Sequence, residues 1–174
     1  MTAEEFWRSH FNGKHVELVR GEVEVGMPTS GDHGSIAANV CFLIKNWSRS
    51  HDGGWVGVES GFVVGRDPDT IRGPDVAYVQ SNRVPPAGVP SYWQIPPDLA
   101  VEVVSVSETA QSVLTKVSEY LEAGTAEVWT IFPASRQVVV YGVNGIGRPL
   151  NENQELTSAI LPGFSCHVAD FFLL

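Results

Sequence analysis

Pro96-Pro97-Asp98-Leu99-Ala100-Val101-Glu102-Val103-Val104-Ser105 is the stretch on which the fold turns. A valine-rich apolar run, closed by two prolines on one side and a Ser/Glu/Thr cluster on the other, has the composition of a central strand. Alternation then sends Asp98, Ala100, Glu102 and Val104 to one face and Leu99, Val101 and Val103 to the other. Glu102 thereby places a carboxylate in apolar surroundings. An ionised group there is costly unless a metal ion, a cation or several hydrogen bonds compensate it. The compensating partner is where function is expected.

Elements on both sides of this strand can be read from pattern. Thr2 to His10 is expected to be a short helix capped by Thr2, and His15 to Val25 alternates around Arg20-Gly21 as a β-hairpin. A helix capped by Asp32 carries Ile36, Val40, Leu43, Ile44 and Trp47 at spacings of three to four, and ends at Asp52-Gly53-Gly54. Strands are expected at Trp55 to Val64 and Asp75 to Gln80, joined by the polar turn Gly65-Arg66-Asp67-Pro68-Asp69, and Arg83 to Pro97 reads as a surface loop. After the central strand, a helix from Glu108 to Ala123 is stopped by Gly124. Val128 to Phe132 and Gln137 to Val143 form a hairpin around Pro133-Ala134-Ser135. Gly145-Ile146-Gly147 is a turn, a weaker strand lies near Glu155-Leu156, and Val168 to Leu174 is an apolar end. The expected class is α/β: a mixed sheet flanked by helices in a single domain, residues 1–174.

Composition sets bounds on function. At 174 residues, 43% hydrophobic and 18% charged, the chain has the make-up of one globular domain. Its apolar runs are too short to cross a membrane, and its acidic N-terminus does not have the pattern of a signal peptide. Cys41 and Cys166 lack metal-ligand spacing and read as two buried thiols, which suits a cytoplasmic protein. The net charge of −9 argues against general binding of nucleic acid through phosphate neutralisation, although Arg66, Arg72 and Arg83 lie close in sequence.

Two further groups belong with Glu102. Gly73-Pro74-Asp75 places a carboxylate where a strand begins, and Lys116 lies on the following helix, with Ser112 and Tyr120 one turn to either side. Lys116 borders the apolar face made by Val113, Val117, Tyr120 and Leu121, so its ammonium can bend toward the end of the sheet. Two acids and one ammonium suit metal-assisted phosphodiester hydrolysis: oxygen ligands hold Mg²⁺, and the lysine orients or deprotonates the nucleophile.

The chain resembles the restriction-endonuclease-like proteins of the Uma type, long labelled a domain of unknown function. The resemblance runs through VELVRGEV at Val16 to Val23, DHG at Asp32, RGPDVAYV at Arg72 to Val79, PPDLAVEVVS up to Ser105, KVSEYLEAGTAEVWTI from Lys116 and LPGFSCHVADFF near the end. It implies a PD-(D/E)xK-type α/β core with Mg²⁺ (Mn²⁺ as substitute) and cleavage of DNA by a homodimer. Pro74-Asp75 matches the superfamily's Pro-Asp and Glu102 its acid. Val104 stands where its lysine is expected, and that role passes to Lys116. Glu59 is a further candidate metal ligand. Relatives often carry Asp at the position of Ser112.

Other residues have plainer readings. His33 reads as a cap or surface group of the first long helix, with the site entrance as the alternative. His10, His15, His51 and His167 share no ligand spacing, which argues against zinc. Glu17 and Glu22 read as the hairpin's solvated face, although Glu17 could border the cleft. Tyr92-Trp93 could stack on a base or cover an oligomer contact. Phe171-Phe172-Leu173-Leu174 could build a dimer interface or close the core. A nuclease-fold interaction module that no longer cuts is the alternative function.

Overall fold

The computed structural model describes residues 1–9, 11, 16–26, 30–51, 53–87 and 91–173. The expectations placed on His10, His15, Asp52 and Leu174 lie outside them. The elements run α1 (Ala3–Arg8), β1 (Val16–Val19), β2 (Glu22–Val25), α2 (Gly31–Arg49), β3 (Trp55–Val58), β4 (Phe62–Gly65), β5 (Thr70–Arg72), β6 (Val76–Val79), β7 (Leu99–Val103) and α3 (Ala110–Ala123). They continue with β8 (Glu127–Phe132), β9 (Gln137–Gly142), β10 (Gly147–Asn151), β11 (Glu155–Thr157) and β12 (Ser165–His167), and a 3₁₀ turn over Val168–Phe172 follows. No helix among the described residues is long and apolar enough to cross a membrane.

The class is α/β, as the pattern predicts. Six strands form a mixed sheet in the order β10-β9-β8-β7-β6-β3, with β7 and β8 parallel and joined through α3, and the other neighbours antiparallel. β7 is interior and buried along its whole length, so Glu102 has no open sheet edge to reach. The alternation read from the sequence holds. Leu99, Val101 and Val103 join Ile36, Val40, Ile44 and Trp47 of α2, together with Trp129 and Phe171, in the larger core. Ala100 lies on the other face with Val117 and Tyr120 of α3 and with Phe62 and Val64 of β4.

A second, four-stranded antiparallel sheet in the order β2-β1-β5-β4 covers that second face, and α1 packs beyond it through Phe6, Leu18, Val63 and Ile71. Here the structure departs from the expected strands. Trp55 to Val64 is two strands rather than one: Glu59 adopts a left-handed conformation (φ 46°), which sends β3 to the large sheet and β4 to the small one. The polar turn after Gly65 leads into β5, a strand of three residues that returns against β4 and is too short to show a period. β10 lies where the sequence pattern reads as a turn, since it contains Pro149 and begins at Gly147. An edge position tolerates both, since one side of the strand needs no partner. The cap of α2 is Ser30, whose hydroxyl accepts the His33 N–H, so Asp32 falls inside the first turn. Either short polar side chain satisfies the cap chemistry, and only the chain path chooses between them.

Several expected surface roles give way to packing. Trp93 packs against Trp55 and Phe62, and Tyr92 against Phe6 and Trp7, so these rings are engaged within the fold. Phe171 and Phe172 close the larger core while Leu173 is exposed. Cys41 and Cys166 are free thiols, the first half-buried and the second buried. The three arginines do not form a basic patch: Arg83 pairs with Asp98, Arg66 with Asp69, and Arg72 is buried between Glu17 of β1 and Glu119 of α3 at 2.7 Å from each.

Arg72 thus ties the small sheet to α3, and the two carboxylates hold its guanidinium firmly charged against the cost of burial. Replacing it by methionine strands two sheltered carboxylates. Arg72→Met is therefore expected to lower unfolding free energy in urea by about 3–5 kcal/mol. Adding Glu17→Gln and Glu119→Gln should recover part of that loss.

Candidate active site

The site forms where β6 and β7 lie side by side in the large sheet. Gly73 and Pro74 lead into β6, and Asp75 stands at its entrance against β7. Asp75 Oδ2 accepts the Val103 N–H at 2.6 Å and its Oδ1 is 2.8 Å from His33 Nε2. The helix-start residue His33 is therefore a buried neighbour of Asp75, in line with the site-entrance alternative rather than the surface or cap reading. The hydrogen bond the imidazole donates to Asp75 raises its proton affinity, and burial opposes it. His33 Nδ1 is buried without a hydrogen-bond partner.

Glu102 projects from β7 toward α3. Its Oε1 accepts from the Tyr120 hydroxyl at 2.7 Å, and its Oε2 lies 3.0 Å from Lys116 Nζ. Lys116 and Tyr120 are one helical turn apart, so one face of α3 meets both oxygens. Thr109 begins that helix by capping it reciprocally with Ser112, and left-handed Gly124 (φ 105°) ends it. Ser112 is thereby occupied as a helix cap. The second carboxylate on Lys116 comes instead from Glu108, also 3.0 Å away.

Burial drives the Glu102 carboxyl well above its usual range. Lys116 pulls it back down, while the neighbouring Asp75 and Glu17 carboxylates push it further up. Burial also disfavours the Lys116 ammonium, but Glu102, Glu17 and Glu108 outweigh that and keep it protonated. The other buried acids differ. Asp69, Asp98 and Glu127 each accept a backbone N–H, from Ala3, Gln80 and Ala159 respectively, and act as ties between segments. Glu102 accepts from side chains alone, which leaves its oxygens open to exchange partners.

Glu17 borders this cleft. Its Oε1 accepts the Gly73 N–H at 3.0 Å and its Oε2 holds Arg72, so the hairpin steadies the turn that delivers Asp75. In sequence it is an ordinary polar position of the alternating hairpin, for which bordering the cleft is the second of two readings. Glu59 is exposed, and its backbone N–H donates to the Pro74 carbonyl next to Asp75.

The donor set suits a hard divalent cation rather than a closed metal cage. Among the described residues, no three His, Cys, Asp or Glu side chains converge to enclose an ion. Asp75 and Glu102 supply carboxylate oxygens, each already taking one hydrogen bond and retaining a lone pair. Mg²⁺ is commonly held in this way, by one or two carboxylates, with water and substrate phosphate completing its shell. The surplus of acids around Lys116 and Arg72 favours the same kind of cation.

Comparison with known proteins places this geometry in a family. The family model described as "Putative restriction endonuclease" (Uma2) matches residues 3–169. Among solved structures, a "putative nuclease belonging to DUF820 from Anabaena variabilis ATCC 29413" superposes with a TM-score of 0.86 at 19% identity. The match covers 99% of this chain and 97% of that one, and it shows a shared fold. No curated protein matches the chain. The family match spans both acids, the lysine and nearly all of the described fold, and the chain belongs to the Uma2 family of restriction-endonuclease-like proteins.

Proposed function

We propose that this protein is a divalent-metal-dependent endonuclease that hydrolyses DNA phosphodiester bonds. Asp75 and Glu102 hold Mg²⁺, for which Mn²⁺ can substitute, and Lys116 assists the attack of water. The observation that carries this reading is the meeting of two sheltered carboxylates from adjacent strands with an ammonium 3.0 Å from one of them. A bound Mg²⁺ would supply Lewis-acid stabilisation of the charge that develops on the phosphate and would polarise the attacking water.

The chain's own residues divide the remaining work. Val103 N–H and His33 fix the plane of the Asp75 carboxylate, and Tyr120 fixes one oxygen of Glu102. Glu102, Glu17 and Glu108 favour the Lys116 ammonium, which in this reading orients water and stabilises negative charge. Glu59, exposed and tied to Pro74 by its backbone, is the outer acid of the proposal. Cutting both strands of a duplex calls for two such sites, and a homodimer in the cytoplasm is the assembly proposed.

Calorimetric titration of Mn²⁺ tests the metal site without knowledge of the substrate. Wild-type protein should bind saturably, and folded Asp75→Ala and Glu102→Ala should not. At a free metal concentration of 100 Kd, the wild type should gain about 2.7 kcal/mol of stability and the two variants none. His33→Ala should bind Mn²⁺ about tenfold more weakly, because the Asp75 carboxylate loses one of its two fixing donors. Lys116→Met should retain metal binding but cleave DNA about 10²–10³-fold more slowly. A folded wild type that takes up no metal would favour the interaction-module reading instead.

A further inference from the structure

We infer that Glu108 is a positioning residue for Lys116, holding the ammonium so that Glu102 can turn an oxygen to the metal. The inference rests on the reading of Glu102 as a metal ligand.

Glu108 lies in the short connection between β7 and α3. Its Oε2 accepts the Ser105 N–H at 2.9 Å, and its Oε1 lies 3.0 Å from Lys116 Nζ. Burial works to raise its proton affinity, but the Ser105 N–H and the Lys116 ammonium outweigh that and keep it ionised. Lys116 therefore bridges two carboxylates, one from the strand and one from the loop that follows it. Both side chains are sheltered, at 21% exposure for Lys116 and 23% for Glu108, so solvent screens the pair only partly.

The physical problem is competition. An ammonium on Glu102 Oε2 and a divalent cation seek the same carboxylate. If Glu102 were the only acid beside Lys116, metal binding would have to strip the ammonium of its partner inside a partly dry site. Glu108 removes that cost by offering a second carboxylate, fixed in advance by a backbone hydrogen bond. With Glu108 to hold its ammonium, Lys116 would leave Glu102 free to serve as a ligand of a divalent cation while its charge remains at the site. Ser112 occupies the helix turn before Lys116 but spends its hydroxyl on the cap at Thr109, which leaves this task to Glu108.

The test is a double-mutant cycle of Mn²⁺ affinity, by calorimetry, on wild type, Glu108→Gln, Lys116→Met and the double variant. Each protein is first checked for folding by circular dichroism and thermal unfolding. The glutamine keeps an oxygen for the Ser105 N–H and removes only the charge. Glu108→Gln is expected to weaken Mn²⁺ binding about tenfold when Lys116 is present, and by less than about twofold when it is Met. The same variant should lower kcat for DNA cleavage with little change in KM, because the displaced ammonium acts on the reacting phosphate. Should Glu108→Gln fail to fold, Glu108→Asp, which keeps the charge but shortens the reach, should weaken Mn²⁺ in the same direction and with the same dependence on Lys116. Equal losses in both backgrounds would make Glu108 a direct ligand or a general source of negative potential and overturn the inference, as would no loss in either. Wild type without Mn²⁺ binding overturns the metal reading itself. Normal wild-type binding with an unaffected Glu108→Gln overturns only the role of Glu108.

Discussion

The burial of the Glu102 carboxylate in an interior strand is the constraint around which the rest is arranged. A lone charge at such a position costs several kcal/mol even after relaxation, at about that order for each buried ion. The chain meets this cost through α3, whose Lys116 and Tyr120 each hold one oxygen. That requirement sets the rotation of the helix: Val113, Val117 and Tyr120 must face inward for Lys116 to reach the sheet. Stability alone would be served as well by an apolar residue of similar size, so the carboxylate is better explained by what it can bind.

A second layer of charge supports the first. Arg72 is buried between the hairpin's Glu17 and α3's Glu119, and Glu17 also accepts the Gly73 N–H beside the turn that presents Asp75. The small sheet is thus more than a cover for apolar surface. It positions the start of β6, and through Arg72 it fixes the distance between that strand and α3. Disturbing either layer alters the other, because Glu17 contributes to the field at both Glu102 and Lys116.

The distribution of arginine bears on how such a protein meets an anionic substrate. Arg66, Arg72 and Arg83 all spend their charge on internal carboxylates. With a net charge of −9, long-range attraction to a polyanion is weak, and affinity for phosphate must come from short-range contacts at the site. In the proposed reading, a cation between Asp75 and Glu102 would provide such a contact.

The sequence by itself determined the class of fold, the central strand, the face on which Glu102 lies, and the pairing of Lys116 with Tyr120 on one side of a helix. These follow from local rules, since a period of two fixes the face of a strand and a separation of four fixes the face of a helix. It offered His33 at the site entrance and Glu17 at the cleft only as alternatives to plainer surface readings, and it did not single out Glu108. His33 reaches Asp75 across 42 residues, and Glu17 reaches Arg72 across 55. Glu108 is near Lys116 in sequence, but its reach depends on the loop conformation fixed at Ser105. Nor could pattern show that Trp55 to Val64 divides between two sheets, because one left-handed residue at Glu59 redirects the chain without changing its apolar rhythm. Contacts of that kind are decided by how sheets and helices close on one another, and only the tertiary structure carries that information.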